Sequence, residues 1–382
     1  MPKMTDEQQL LMESLDDVIA RHLTEEYVAR IDSEHKTPDE FNSAMAEAGF
    51  GFLGVPEEFG GTPIDTVTLC AISTRVAKAG LPSGYGAATV QANDILEFGT
   101  PEQVKIVMDC LMQGRNAFAL GITEPGAGSD NMSMTCSAVH QDGKVTINGV
   151  KTLVTGARTS DNILILAKDP AEENKRKQIS MYLVPLDTPG ISLSPLEKIA
   201  WHTTDTSEVY LDNVVCDESV LVGQKGNGFL QLMRNFELER VLLAANQLGL
   251  AERAFEEAAS YAARRVQFGQ PIGNFQQIQM YLTDMAIMVE NMRNFVTRCA
   301  QMIDEKEPLN TMGAMCKRYC SRAGFEVADL ALQIHGGIGL VEGTPIARIW
   351  RDSRVNRIGG GTDEVMVHIV GRQIVKDFTA KQ

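Results

Sequence analysis

Two stretches of this sequence hold residue types that can do chemistry. The first, Gly121 to Asp130, reads GITEPGAGSD. Thr123 and Ser129 offer hydroxyls, Pro125 stiffens the chain, and Gly126 and Gly128 let backbone N–H groups come close to a ligand. Such a loop can cradle an anion or the polar edge of a flat ring. It can equally be an ordinary Gly/Pro turn ahead of a strand. The second stretch surrounds Glu239. Leu242, Leu243, Asn246, Gly249 and Leu250 recur at helical spacing as a mostly apolar stripe, and Glu239 falls on it one turn earlier, whereas Glu237 points to another side. A carboxylate on an apolar face is costly unless it is paired or allowed to hold a proton. Its pKa therefore tends upward, as a general acid or base requires. The alternative is an ion pair with Arg240 or with an arginine from another helix.

The elements that must position these residues are legible in outline. Thr5 with Gln8, Thr37 with Glu40 and Thr100 with Gln103 read as capping boxes, with Pro38 and Pro101 at the first helical position. Gly49, Gly80, Gly99 and Gly114 fall where helices stop, and Phe50–Gly61 is a Gly/Pro-broken connector. From Asn116 the pattern changes to strands. Asn148-Gly149 predicts a hairpin joining Lys144–Ile147 to Val150–Leu153, and Gln141-Asp142-Gly143 predicts a second turn. Ile163–Ala167, Ile179–Val184 and Glu208–Leu211 are further strands. A long helix runs from Gly228 through Arg264, with others from about Asn274, Asn310 and Thr362. The expected class is α+β: an N-terminal all-helical domain over residues 1–117, a middle antiparallel β-domain over 118–222 and a four-helix-bundle-like domain over 223–382.

A chain of 382 residues buries a substantial core. Its net charge of −15, with no sustained Lys/Arg run, argues against a nucleic acid or an acidic membrane as partner. A polyphosphate ligand would need single, placed arginines and backbone amides. Seven cysteines without CxxC spacing predict reduced thiols in a cytoplasmic protein and no metal site. The polar start lacks a signal-peptide pattern, and no apolar run is long enough to span a bilayer.

Five strings resemble the acyl-CoA dehydrogenase family, in its order and at its spacing: ITEPGAGSD (122–130), INGVKTLVT (147–155), RVQFGQPIGNFQ (265–276), QIHGGIG (333–339) and RDSRVNRIGGGTDE (351–364). The resemblance implies FAD, desaturation of the Cα–Cβ bond of an acyl-CoA, an electron-transferring flavoprotein as partner, and a homotetramer. Position by position, Ile122, Thr123, Gly128, Ser129, Leu153 and Thr155 match residues around the flavin. Thr123 meets its pyrimidine edge and Thr155 its N5. Arg265, Gln267, Phe268, Phe275 and Gln276 match the group that holds the FAD diphosphate and adenosine of an adjacent subunit. Gln333, Gly336 and Gly337 match the opposite side of that site, and Thr362 and Glu364 a cofactor loop.

Two departures carry information. Most members place a catalytic glutamate where this chain has Gly360, and a minority supply it from an earlier Glu-Arg pair, which here is Glu239-Arg240. Glu239 is therefore the expected base, with Ser129, Glu237, Arg240 and Gly360 expected against the substrate. The α-proton goes to Glu239, the β-hydride leaves for flavin N5, and the Gly360 N–H polarises the thioester carbonyl. Leu153 replaces a usual aromatic residue beside the flavin. The C-terminal string and the glutamate placement look closest to the crotonobetainyl-CoA and caffeyl-CoA reductase branch, which reduces 2-enoyl-CoA. An acyl-CoA oxidase and a non-catalytic flavin-binding scaffold are the alternatives.

Overall fold

The computed structural model describes residues 4–83, 87–113 and 115–379. The chain opens with helices α1 (Asp6–His22), α2 (Glu25–Ser33), α3 (Asp39–Glu47), α4 (Thr66–Lys78), α5 (Ala87–Phe98) and α6 (Pro101–Leu111). The capping boxes of α1 and α6 form as expected. Gln8 N donates to Thr5 Oγ1 at 3.2 Å while Thr5 N donates to Gln8 Oε1 at 2.8 Å, and Thr100 with Gln103 repeats the exchange. The box expected at Thr37 does not form. Pro38 is the cap residue of α3 and makes no side-chain cap bond, and the Glu40 carboxylate accepts from Arg30 instead. The stop expected at Gly114 lies outside the described residues.

Eight strands follow: β1 (Asn116–Gly121), β2 (Ser137–Gln141), β3 (Lys144–Thr155), β4 (Ser160–Lys168), β5 (Ile179–Pro185), β6 (Ile191–Pro195), β7 (Thr206–Asp217) and β8 (Leu221–Val222). They form one sheet in the order β6-β7-β3-β2-β4-β5-β8, with β1 beside β4. Most pairs are antiparallel; β1 runs parallel to β4, and β2 touches β4 in parallel at one pair. Alternation along β4 explains the central position of this strand. Ile163, Ile165 and Ala167 face one apolar cluster with Val145, Ile147 and Val209, while Leu164 and Leu166 face another with Val107, Leu111 and Phe118. The sheet therefore packs α5 and α6 on one face.

The Asn148-Gly149 hairpin is a correction. β3 runs straight through these residues and pairs with β7 on both sides of them, with a register shift between Ile147 and Gly149. Gly149 has φ +148°, and a Cβ there would lie 2.8 Å from Cys136 Cα. The glycine thus serves a bulge and a close backbone approach, not a chain reversal. The reversal occurs at Asp142-Gly143, with φ +51° and +73°, between β2 and β3.

The last third holds α7 (Gly228–Arg264), a hairpin of β9 (Val266–Gln267) and β10 (Gln270–Pro271), α8 (Gln276–Asp304), α9 (Met312–His335), α10 (Pro345–Ser353) and α11 (Asp363–Thr379). Val241, Ala245, Leu248, Met285, Met292, Val327 and Ala331 close the core of this bundle, and Leu69 and Cys70 of α4 belong to it. Gly249 permits that docking, since a Cβ there would lie 2.2 Å from Thr74 O. All seven cysteines are free and buried. No helix among the described residues is long and apolar enough to cross a membrane.

Candidate active site

α7 carries Glu237, Glu239 and Arg240 on its N-terminal half, just after Phe236 joins the apolar cluster that also borders Ile122. Glu239 is half-buried and has no hydrogen bond or ion pair among the described residues. Burial raises its pKa above the ordinary carboxylate range, while the charges of Arg240 and Lys317 pull it back. The ion pair with Arg240 that the sequence left open is absent. Arg240 instead lies over the Phe236 ring at 5.8 Å, and its buried Nε has no partner among the described residues. Glu237, also raised by burial, is equally without a hydrogen bond or ion pair among the described residues.

The segment between α10 and α11 comes down on this face. Gly360 has φ +63°, and a Cβ built there would lie 3.6 Å from Glu239 Oε1 and 2.2 Å from Leu243 Cδ1. With no side chain at 360, Leu243 fills the Cβ position and the Gly360 backbone can come close to the Glu239 carboxylate. Among the described residues the Gly360 N–H meets no acceptor. An unpaired carboxylate and an unpaired amide side by side can take a proton from a carbon acid and polarise its carbonyl.

The Gly121–Asp130 loop leaves β1 and is held by groups the sequence reading missed. Glu124 is buried and accepts from Lys151 Nζ at 2.8 Å, Thr135 N at 2.6 Å, Thr135 Oγ1 at 2.9 Å and Cys136 N at 2.9 Å. Lys151 also donates to Ile122 O at 3.1 Å, and Thr152 N donates to Thr123 O at 2.9 Å. The loop is thereby locked to β3, and the hydrogen bonds at Glu124 keep its carboxyl below the ordinary carboxylate range despite its burial. Both residues stand inside strings already singled out, so the signal was present. What pairs them is the fold.

Beyond the loop, β3 bulges again between Lys151 and Val154. Leu153 sits in this bulge at φ +56° with 60 % of its surface exposed, and Thr155 is exposed beside it. A Cβ on Gly126 or Gly128 would meet nothing within 4 Å. Ser129 is exposed at the loop's end. Leu153 and Thr155 thus stand exposed on β3, which the Thr152 N to Thr123 O bond ties to the loop.

Most of the remaining predicted residues form a second, distant group. Phe268 tops the β9–β10 hairpin at φ +50°, 93 % exposed, with Phe275 edge-on at 6.1 Å, and Arg265, Gln267 and Gln276 are exposed around it. His335 stacks on Tyr261 at 4.5 Å and so brings Gln333, Gly336 and Gly337 to the same end of the bundle. Glu239 and Arg264 are 25 residues apart on one helix, about 38 Å at the helical rise. Thr362 caps α11 through Val365 N at 3.2 Å, and Glu364 is exposed in its first turn. A separate groove of about 520 Å³ lies between α2 and the β6–β7 segment, lined by Arg30, His35, Arg158, Lys198 and His202, away from Glu239.

Three family models cover the chain: acyl-CoA dehydrogenase N-terminal domain over residues 5–115, middle domain over 119–214 and C-terminal domain over 226–375. They define an FAD-dependent oxidoreductase acting on the CH–CH bond of an acyl-CoA. The chain belongs to the acyl-CoA dehydrogenase family. It is 45 % identical to the probable acyl-CoA dehydrogenase YdiO of Escherichia coli (strain K12), over 99 % of both chains. Butyryl-CoA dehydrogenase from Megasphaera elsdenii superposes with a TM-score of 0.91 at 29 % identity, covering 98 % of this chain and 99 % of that one. A solved chain described with the electron transferring flavoprotein of Acidaminococcus fermentans superposes with a TM-score of 0.90 at 28 % identity, covering 98 % and 99 %.

Proposed function

We propose that this protein interconverts the Cα–Cβ single and double bonds of a CoA thioester, with Glu239 as the acid/base. The observation that carries the reading is the unpaired Glu239 carboxylate 3.6 Å from the place a Gly360 side chain would occupy. FAD bound against Thr123, Leu153 and Thr155 supplies the acceptor for the β-hydrogen and its electron pair. Gly360 N–H orients and polarises the thioester carbonyl, which acidifies the α-carbon. Glu239 then holds the α-proton and, in the reverse direction, returns it. Arg240, with its unpartnered Nε, and Glu237 and Ser129 line the thioester arm.

Ile122, Gly128 and Ser129 complete the flavin side from one subunit, with Thr362 and Glu364 at the start of α11. Arg265, Gln267, Phe268, Phe275, Gln276, Gln333, Gly336 and Gly337 lie too far along the bundle to serve the same chain's Glu239, which supports their use by an adjacent subunit of a homotetramer. The same reading takes residues 1–117, 118–222 and 223–382 as the three domains, the cytoplasm as location and an electron-transferring flavoprotein as redox partner. The GGGTDE string with the Glu239-Arg240 pair supports a place near the crotonobetainyl-CoA and caffeyl-CoA reductases and hence enoyl-CoA reduction.

The test is Glu239→Gln in the FAD-loaded protein, titrated with a panel of acyl- and enoyl-CoAs while the flavin spectrum is followed. The variant is expected to retain FAD and lose turnover by several orders of magnitude. Full turnover overturns the assignment. Rapid oxygen consumption by the reduced wild type favours the oxidase, and a flavin that responds to no thioester favours the scaffold.

A further inference from the structure

α9 carries a lysine where the neighbouring side chains are small or apolar. Lys317 is fully buried among Ala314, Cys316, Cys320, Ser321 and Gly324, which are buried too. The chemistry described so far makes no use of it. Its ammonium forms no ion pair among the described residues and donates to the carbonyl of Gly361. One turn further, Ser321 Oγ donates to Asn356 O at 2.8 Å, and Asn356 Nδ2 donates to Gln247 Oε1 of α7 at 2.7 Å. At the other end Arg357 holds Asp363 at 2.8 Å. The segment carrying Gly360 is thus anchored on both sides, and Lys317 is the anchor adjoining Gly360.

A buried cation bound only to a carbonyl is costly, and an apolar side chain of the same length would fill the space more cheaply. The charges facing Lys317 are Glu239 and Arg240 from α7 and Asp363 and Glu364 from α11. Arg357 engages Asp363, whereas Glu239 has no partner of its own. Two unpaired opposite charges, Lys317 and Glu239, therefore lie in one site without touching. We propose that Lys317 is a positioning residue, pinning Gly361 so that the neighbouring Gly360 N–H is presented and adding to the charge of Arg240 the positive potential that keeps Glu239 ionised.

This inference rests on the reading of Glu239 as the base, and its test is read without turnover. Burial pulls the Lys317 pKa down to about 8, so its charge is present at neutral pH and fades above it. In FAD-loaded protein carrying [5-13C]glutamate, the Glu239 resonance is assigned by its loss in Glu239→Gln and titrated. Lys317→Gln keeps a donor and loses the charge; Lys317→Met loses both. In both variants the Glu239 midpoint is expected to rise by about half a pH unit or more. Amide exchange of the 356–363 segment is expected to quicken about tenfold in Lys317→Met and stay near wild type in Lys317→Gln. An unmoved midpoint overturns the electrostatic role, and unchanged exchange in Lys317→Met overturns the pin. Should Lys317→Met not fold, Lys317→Ala reads the pin. Asp94 of α5 also faces Glu239 and titrates near 7, so the second Glu239 inflection near the Lys317 midpoint must appear in Asp94→Asn as well as in the wild type, and its absence counts against the electrostatic role. If Glu239→Gln proves active, the base assignment fails while these measurements still report on Lys317.

Discussion

Replacing Gly360 by alanine tests the centre of the site. The residue has φ +63°, and an L side chain in that left-handed region costs roughly 1–2 kcal/mol. The new methyl would lie 2.2 Å from Leu243 Cδ1, so Leu243 must leave its rotamer, at about 0.5–1.5 kcal/mol more. The combined loss of about 1.5–3.5 kcal/mol corresponds, for a chain of this length, to a thermal midpoint lower by about 2–4 °C, with FAD concentration held fixed. The methyl would also stand 3.6 Å from Glu239 Oε1 and crowd the space a thioester carbonyl must enter to reach the Gly360 N–H. Turnover is expected to fall about a hundredfold or more, the usual consequence of losing one such donor. Leu243→Ala supplies the control. In that background the contact disappears and the Gly360→Ala penalty should shrink to the backbone strain, about 1–2 kcal/mol. Equal penalties in both backgrounds would refute the contact, and a wild-type midpoint in Gly360→Ala would refute the left-handed backbone.

Other perturbations follow from the same geometry. Lys151→Met leaves the Glu124 carboxylate buried without its cation; about 3–5 kcal/mol of stability should be lost, and the fraction of protein purified with FAD should drop. A variant as yellow and as stable as the parent would show that the pair does not hold the flavin loop. Asp94 on α5 is buried with Asn235 Nδ2 as its hydrogen-bond partner, and burial lifts its pKa from 3.8 to about 7. A raised carboxyl pKa favours the protonated folded form, so its cost appears as pH rises from about 4 through 7 and is complete above that. Asp94→Asn should therefore gain stability over wild type between pH 4 and 8, with a ceiling of about 4 kcal/mol. Parallel pH–stability curves for the two proteins would falsify this.

Much of the scaffold was legible because its physics is local. The ends of α7, the capping boxes at Thr5 and Thr100 and the Asp142-Gly143 turn each depend on a few adjacent residues. Asn148-Gly149 shows where locality fails. Its turn propensity is the same as in a hairpin, but β7 pairs with the chain on both sides, and the ladder outweighs the local preference. The glycine is then used for a close approach to Cys136, which comes from another strand's lead-in. Thr37 fails for a related reason, since Arg30 of another helix takes the Glu40 carboxylate the box required. Lys317 gave no signal at all. Its surroundings in sequence are those of any amphipathic helix, and what buries it comes from α7 and the segment before α11.

Glu239 is the intermediate case, and it explains why the two departures from the family pattern belong together. The sequence placed a carboxylate on an apolar stripe but left open whether an arginine neutralised it. In the folded chain Arg240, the adjacent residue, points to Phe236, because consecutive residues on a helix cannot share a face. The compensation left is charge at a distance, from Arg240 and from Lys317, the latter held by its bond to Gly361. A side chain at 360 would collide with Leu243 and come within contact of Glu239, so a second carboxylate there would lack both room and countercharge. Two such groups could not both ionise, and one would hold a proton and cease to be a base. The absence of a Cβ at 360 and the presence of Glu239 are therefore one structural solution, in which the glycine makes room for Leu243 and provides the amide, and α7 provides the carboxylate.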